Sequence, residues 1–126
     1  MEGGICEFVP KGDSSKTWKE MVSTQVEPTT VSLRKYVDTW KDRLLKADAR
    51  IEITEETIGD DSIIVTCTSL SAGESSIQRF FKGTDGVYIL AYQVRAKFKK
   101  DETFKIWGDI IRTATLTPNY SKVDLV

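Results

Sequence analysis

Few residues in this chain are able to do chemistry, and what is missing narrows the field first. The 126 residues contain no histidine, so the commonest general base and metal ligand is absent. Ser-His-Asp and Cys-His nucleophilic systems are excluded with it. The two cysteines, Cys6 and Cys67, form neither a CxxC pair nor a His-Cys set for zinc. Carboxylates remain, and Glu52, Glu55, Glu56 and Asp85 are the residues a two-carboxylate hydrolase would draw on. Asp60-Asp61 lacks the regularly spaced oxygen ligands of a helix–loop–helix calcium site, and turn chemistry explains the pair better. Gly83-Thr84-Asp85-Gly86 has no lysine of a phosphate loop and joins two strands rather than a strand and a helix. No metal or cofactor is expected.

The remaining constellation is basic. If the run from Gly86 to Lys99 is one strand, Arg95, Lys97 and Lys99 project from one face at intervals of about 7 Å, twice the strand rise. Lys100 and Lys105 follow closely. Such charges most often keep a strand end solvated and deter edge-to-edge association. Their functional use would be an anionic partner, either an acidic protein face or lipid headgroups at about 1 kcal/mol per basic residue. Trp18, beside a polar loop, is a core residue on the simpler reading and an interface aromatic on the other.

Composition sets the frame for these residues. One domain fits 126 residues, with 40% hydrophobic and 29% charged side chains, a globular balance rather than a disordered one. A net charge of −1 argues against a general nucleic-acid binder, which needs a large positive excess. No apolar run approaches the roughly 20 residues of a membrane helix. The opening MEGGICEFVPKG has no basic n-region or apolar h-region, so it is not the pattern of a signal peptide. The two cysteines can be core thiols or, in an exported protein, a bridge.

Periodicity places these residues on elements. Gly4–Val9 reads as a strand ended by Pro10, and Trp18–Val26 as a strand preceded by a helical turn and stopped by Pro28. Thr30–Ala47 predicts a helix, because Leu33, Tyr36, Val37, Trp40 and Leu44 share one face, with Thr30 or Ser32 as N-cap. Three strands, Arg50–Ile58, Ser62–Leu70 and Ser76–Lys82, lead to a hairpin whose Gly83 and Gly86 are expected to supply positive φ. The last strand, Gly86–Lys99, is apolar on both faces up to Gln93, so cover is expected on both sides of the sheet there. Its length of roughly 40 Å predicts a bend near Gln93. Asp101–Leu116 predicts a second helix with Asp101 as N-cap and Phe104, Trp107, Ile111 and Ala114 inward. Residues 119–126 read as a tail. The order β-β-α-β-β-β-β-α is α+β, a largely antiparallel sheet of about six strands in an α/β/α layering, with the core spanning residues 4–117.

Several of these segments are shared with known proteins. Glu7-Phe8-Val9-Pro10-Lys11-Gly12, Trp18, Met21-Val22 and Gln25, then Arg79-Phe80, Lys82-Gly83, Asp85-Gly86-Val87-Tyr88, Tyr92 and Trp107, resemble small uncharacterised exported or envelope proteins of Gram-negative bacteria. The element order is similar to the fold of PsbP-type photosystem subunits and Mog-type Ran-binding proteins. The resemblance rests on turns and core aromatics, and no functional residue of either branch maps onto this chain. It implies a non-catalytic, secreted or periplasmic accessory domain, a mature form without its signal peptide, with an unknown protein partner and a monomeric state. It also gives weight to a Cys6–Cys67 bridge. The alternatives are a peripheral binder of anionic lipids through Arg95, Lys97, Lys99, Lys100 and Lys105, and a small carboxylate-dependent hydrolase.

Overall fold

A computed structural model describes residues 4–9, 19–69, 73–117 and 122–124. Six strands form one antiparallel sheet: β1 (Gly4–Phe8), β2 (Glu20–Pro28), β3 (Glu52–Ile58), β4 (Ser62–Ser69), β5 (Glu74–Lys82) and β6 (Gly86–Arg95). Their order across the sheet is β1-β2-β6-β5-β4-β3. The last four are thus a meander, and the first two extend it beyond β6. Helix α1 (Leu33–Ala47) follows β2 and helix α2 (Asp101–Thr113) follows β6. A short ribbon of β7 (Thr115–Thr117) and β8 (Lys122–Asp124) closes the chain. Residues 122–124 are therefore paired strand rather than tail.

The helices cover opposite faces, for a reason written into β6. Its even-numbered Tyr88, Leu90, Tyr92 and Val94 pack with Ile64, Ile77, Phe81 and Ile111 in the core beneath α2. Its odd-numbered Val87 and Ile89 join Ile63, Val65, Phe80, Leu33 and Val37 in the core beneath α1. Period-two alternation in a strand with two apolar faces requires an apolar partner on each side, and one helix supplies each. Ser32 caps α1, its hydroxyl accepting from the Lys35 N–H at 3.1 Å.

Three local expectations are corrected. Gly83 and Gly86 do not have positive φ; that conformation belongs to Gly59 (φ 61°) and Gly73 (φ 65°) in the two preceding turns. What Gly83 and Gly86 provide is close approach. A Cβ on Gly83 would collide with the Tyr88 ring, and one on Gly86 with the Glu27 carbonyl of β2. Lys100, not Asp101, occupies the N-cap of α2 and offers no side-chain cap, so Asp101 and Glu102 act in the first turn through the dipole. Finally, β6 ends at Arg95 and passes into a single 3₁₀ turn over Ala96–Phe98. No bend is needed near Gln93, because the strand is ten residues long. It ends where its neighbours end: Arg95 pairs with Glu74, the first residue of β5, and Val94 with Glu20, the first of β2. The Ala96 N–H then donates to the Gly73 carbonyl at 2.6 Å instead of extending a ladder.

Candidate functional site

The expected row of cations does not form. Beyond Arg95 the side chains no longer alternate, so Lys97 and Lys99 leave the strand face. Lys97 lies over the Phe98 ring at 5.2 Å, with Lys19 on the same ring at 5.4 Å, and Lys99 lies over Phe104 at 4.6 Å. Lys100 is exposed at the start of α2. Lys105 pairs with Asp109 one turn on, at 2.9 Å. These residues share one end of the molecule without sharing a face.

The four carboxylates do not converge either. Glu55 sits on the α1 side of β3, held by Arg34 (2.6 Å) and Lys41 (2.7 Å). The Arg34 hydrogen bond holds its carboxyl down at about 2, with Lys41 adding to the effect against some desolvation. Glu56 projects to the other face and accepts from Arg112 at 3.2 Å. Asp85 accepts from the Tyr88 hydroxyl at 2.8 Å, and Glu52 is exposed. A pair of carboxylates poised to trade a proton would face one cleft with separated affinities. Among the described residues, no group of three or more Cys, Asp or Glu is placed to hold a metal ion.

The cysteine bridge fails on topology. Cys6 in β1 and Cys67 in β4 are separated by β2, β6 and β5. Four strand spacings amount to about 19 Å, against the roughly 4.4–6.8 Å between Cα atoms that a disulfide spans. Cys67 is a buried free thiol. Burial pushes its thiol above the usual range, partly countered by a hydrogen bond with Ser76. Trp18 lies outside the described residues.

What the fold does assemble is an apolar groove on the α2 face. A helix is about 10 Å across while five strand spacings span about 24 Å, so one helix cannot cover the whole sheet. Helix α2 lies over β5 and β6, and no helix among the described residues lies over the neighbouring strip of β2 and β1. A row of cross-strand partners runs from Ile77 in β5 through Tyr92 in β6 and Val22 in β2 to Phe8 in β1. Trp107 of α2 stacks on Tyr92, ring centroids 5.2 Å apart and planes 9° from parallel, and Phe104 meets the same ring edge-on at 6.0 Å. The groove, about 480 Å³, is walled by Phe8, Val9, Glu20, Met21, Val22, Thr24, Tyr92 and Trp107.

Two features set this groove apart from ordinary packing. Phe8 is 60% exposed and Ile106 of α2 is 58% exposed. At about 100° per residue, Ile110 falls on the flank of α2 next to Trp107 and away from Arg112, and Ile106 lies further round the same side towards solvent. Arg112 reaches Glu56 in β3, so the apolar flank faces β2 and β1. The second feature is Glu20, half-buried among these apolar walls, whose Oε2 accepts from the Tyr92 hydroxyl at 2.6 Å. Burial, with that hydrogen bond and the nearby carboxylate charge, pushes the Tyr92 hydroxyl well above its ordinary value. It stays a proton donor at any physiological pH. Tyr92 and Trp107 were both legible in the sequence as core aromatics; their second role as groove wall was not. The available signal was Ile106 and Ile110, apolar residues off the inward face of α2.

A second cavity, about 540 Å³, opens on the same face at the other edge, among Asp60, Asp61, Arg79, Lys82 and Thr84. Its buried Arg79 is structural. The guanidinium donates to Ser62 Oγ at 3.0 Å and to the carbonyls of Ile111, Arg112 and Ala114 at 2.9–3.0 Å, over the Phe81 ring. It closes the negative end of α2. No helix among the described residues is long and apolar enough to cross a membrane.

The comparisons with known proteins leave the geometry to stand alone. No family model matches the chain, and no curated protein matches it.

Proposed function

We propose that this domain is a non-catalytic binding module that receives a protein partner in the groove between α2 and the β1–β2 edge. One observation carries the reading: an apolar trough walled by Tyr92 and Trp107, with the large hydrophobic side chain of Phe8 standing mostly in solvent on its lip. Isolated exposed hydrophobics need no explanation, but a contiguous apolar concavity with an aromatic floor is the usual form of a binding site. The dispersal of the carboxylates favours binding over hydrolysis. The engagement of Lys97, Lys99 and Lys105 with neighbouring rings and Asp109 favours the groove over the basic end. The resemblance to exported and envelope proteins supports a place outside the cytoplasm.

The test is fluorescence anisotropy with a labelled leucine-rich amphipathic peptide. Replacing Phe8→Ser, at an exposed position on the groove wall, is expected to weaken binding about tenfold, the effect of losing one partly buried large apolar contact. Equal affinity in wild type and the variant, with unchanged thermal unfolding, would remove the groove as the binding face.

A further inference from the structure

We infer that the segment received by this groove belongs to a partner protein and is apolar with a lysine or arginine set to meet Glu20. The inference rests on the groove reading above and adds the charge of the occupant. Its carrier is the position of one carboxylate. Glu20 stands on the groove wall beside Met21, Val22 and Trp107, half-buried. Its Oε2 is fixed by the Tyr92 hydroxyl at 2.6 Å, while no ion pair among the described residues involves it. A neutral donor orients a carboxylate without neutralising it.

Asp85 is likewise engaged by a neutral donor, the Tyr88 hydroxyl at 2.8 Å, but of these two carboxylates only Glu20 stands on the wall of the apolar groove. Glu55, Glu56, Asp38 and Asp109 each have an arginine or lysine of this chain as partner, and all lie away from the groove. A half-desolvated anion among apolar walls favours a cationic hydrogen-bond donor over water. The aromatic floor suits the same occupant, because a lysine or arginine carries an apolar stem that packs on rings behind its charge. An occupant without charge would leave Glu20 oriented and uncompensated, and an acidic one would place like charges together. Complementarity of this kind selects among partners more than it adds raw affinity.

The experiment uses three labelled amphipathic probes of equal length and identical leucine positions, with lysine, glutamine or glutamate on the polar side. Each is titrated by anisotropy against wild type and Glu20→Gln, a variant whose amide oxygen can still accept from Tyr92. Wild type is expected to bind the leucine–lysine probe on the order of tenfold more tightly than the leucine–glutamine probe, the effect of one charge-assisted hydrogen bond. The preference is expected to fall to within about twofold in Glu20→Gln, with thermal unfolding unchanged. If the lysine and glutamine probes bind wild type equally and Phe8→Ser weakens both, the groove reading stands and this inference fails. If none of the probes binds, the groove reading itself fails. A preference for the glutamate probe would assign the selection to the lysines at the end of β6 and overturn the inference. Two other occupants are also decided. A concentration-dependent dimer abolished by Phe8→Ser would make it a second copy of the chain. Probe binding that appears only in Trp18→Ala would make it residues 10–18. Either result overturns the inference.

Discussion

At the scale of single residues, Arg79 and Glu20 show how the same fold handles two partly or wholly buried charges. Arg79 is buried and has no carboxylate partner among the described residues. Its guanidinium is satisfied by one hydroxyl and three carbonyls at the C-terminus of α2. Desolvation lowers its affinity for a proton, and the helix dipole with the Phe81 ring supplies the compensation. Removing such a group strands its acceptors, so Arg79→Ala is expected to cost about 3 kcal/mol. Arg79→Lys should recover only part of that, because one ammonium nitrogen cannot stand in for both Nε, on Ser62, and Nη1, on the three carbonyls. Equilibrium urea unfolding checks both. Arg79 was legible in the sequence only as part of a hairpin, since nothing local to β5 announces a helix end thirty residues later. Glu20 was equally silent, because its meaning depends on Tyr92 and Trp107, which meet it only once the sheet is paired.

At the scale of elements, the sequence was most informative where one period governs a whole segment. The alternation of Tyr88 to Val94 with Val87 to Ala91 marked β6 as covered on both faces, and the i, i+3, i+4 spacing of Leu33, Val37 and Trp40 marked α1. Element ends were harder because they depend on neighbours. Nothing in Arg95-Ala96-Lys97 stops a strand; β6 stops because β5 begins opposite Arg95. The apparent basic comb was a consequence of continuing a period past its last partner. The β3 edge carries a separate prediction. Arg34, Asp38, Lys41 and Glu55 form a network joining α1 to β3. The Glu55 carboxyl is held at about 2 when folded, against 4.5 for the free group. A depressed folded value contributes stability above the free value and loses it as pH falls through the folded one. The network's contribution, about 1 kcal/mol or less because Arg34 is half exposed, should therefore fade between about pH 4.5 and 2. Thermal unfolding of wild type and Glu55→Gln is expected to differ at pH 6 and converge towards pH 2. A difference that stays constant across that range would show the network contributes nothing through charge.

At the scale of the whole molecule, the groove follows from a mismatch of widths. Six strands give a sheet more than twice as wide as one helix, and α1 and α2 each cover part of one face. On the α1 face the β2 strip beyond the helix carries Ser23, Gln25 and Glu27, which water can solvate. On the α2 face the same strip carries Glu20, Val22, Thr24 and Val26, with Phe8 beside Val22 on β1. Among the described residues, apolar surface is thus left on that side of the strip, and the proposed binding role gives it a use. Architecture of this kind was largely readable from the sequence, because the alternation in β6 demands two covering layers. The groove was not, because it is defined by what α2 fails to cover, and no run of residues records that. The most direct test of the account is amide and indole chemical-shift mapping of the isotope-labelled domain titrated with the leucine–lysine peptide. The account predicts shifts confined to Phe8, Glu20, Val22, Thr24, Tyr92 and the indole N–H of Trp107. Shifts centred on Asp60, Asp61 and Thr84, or on Lys97 to Lys105, would contradict it.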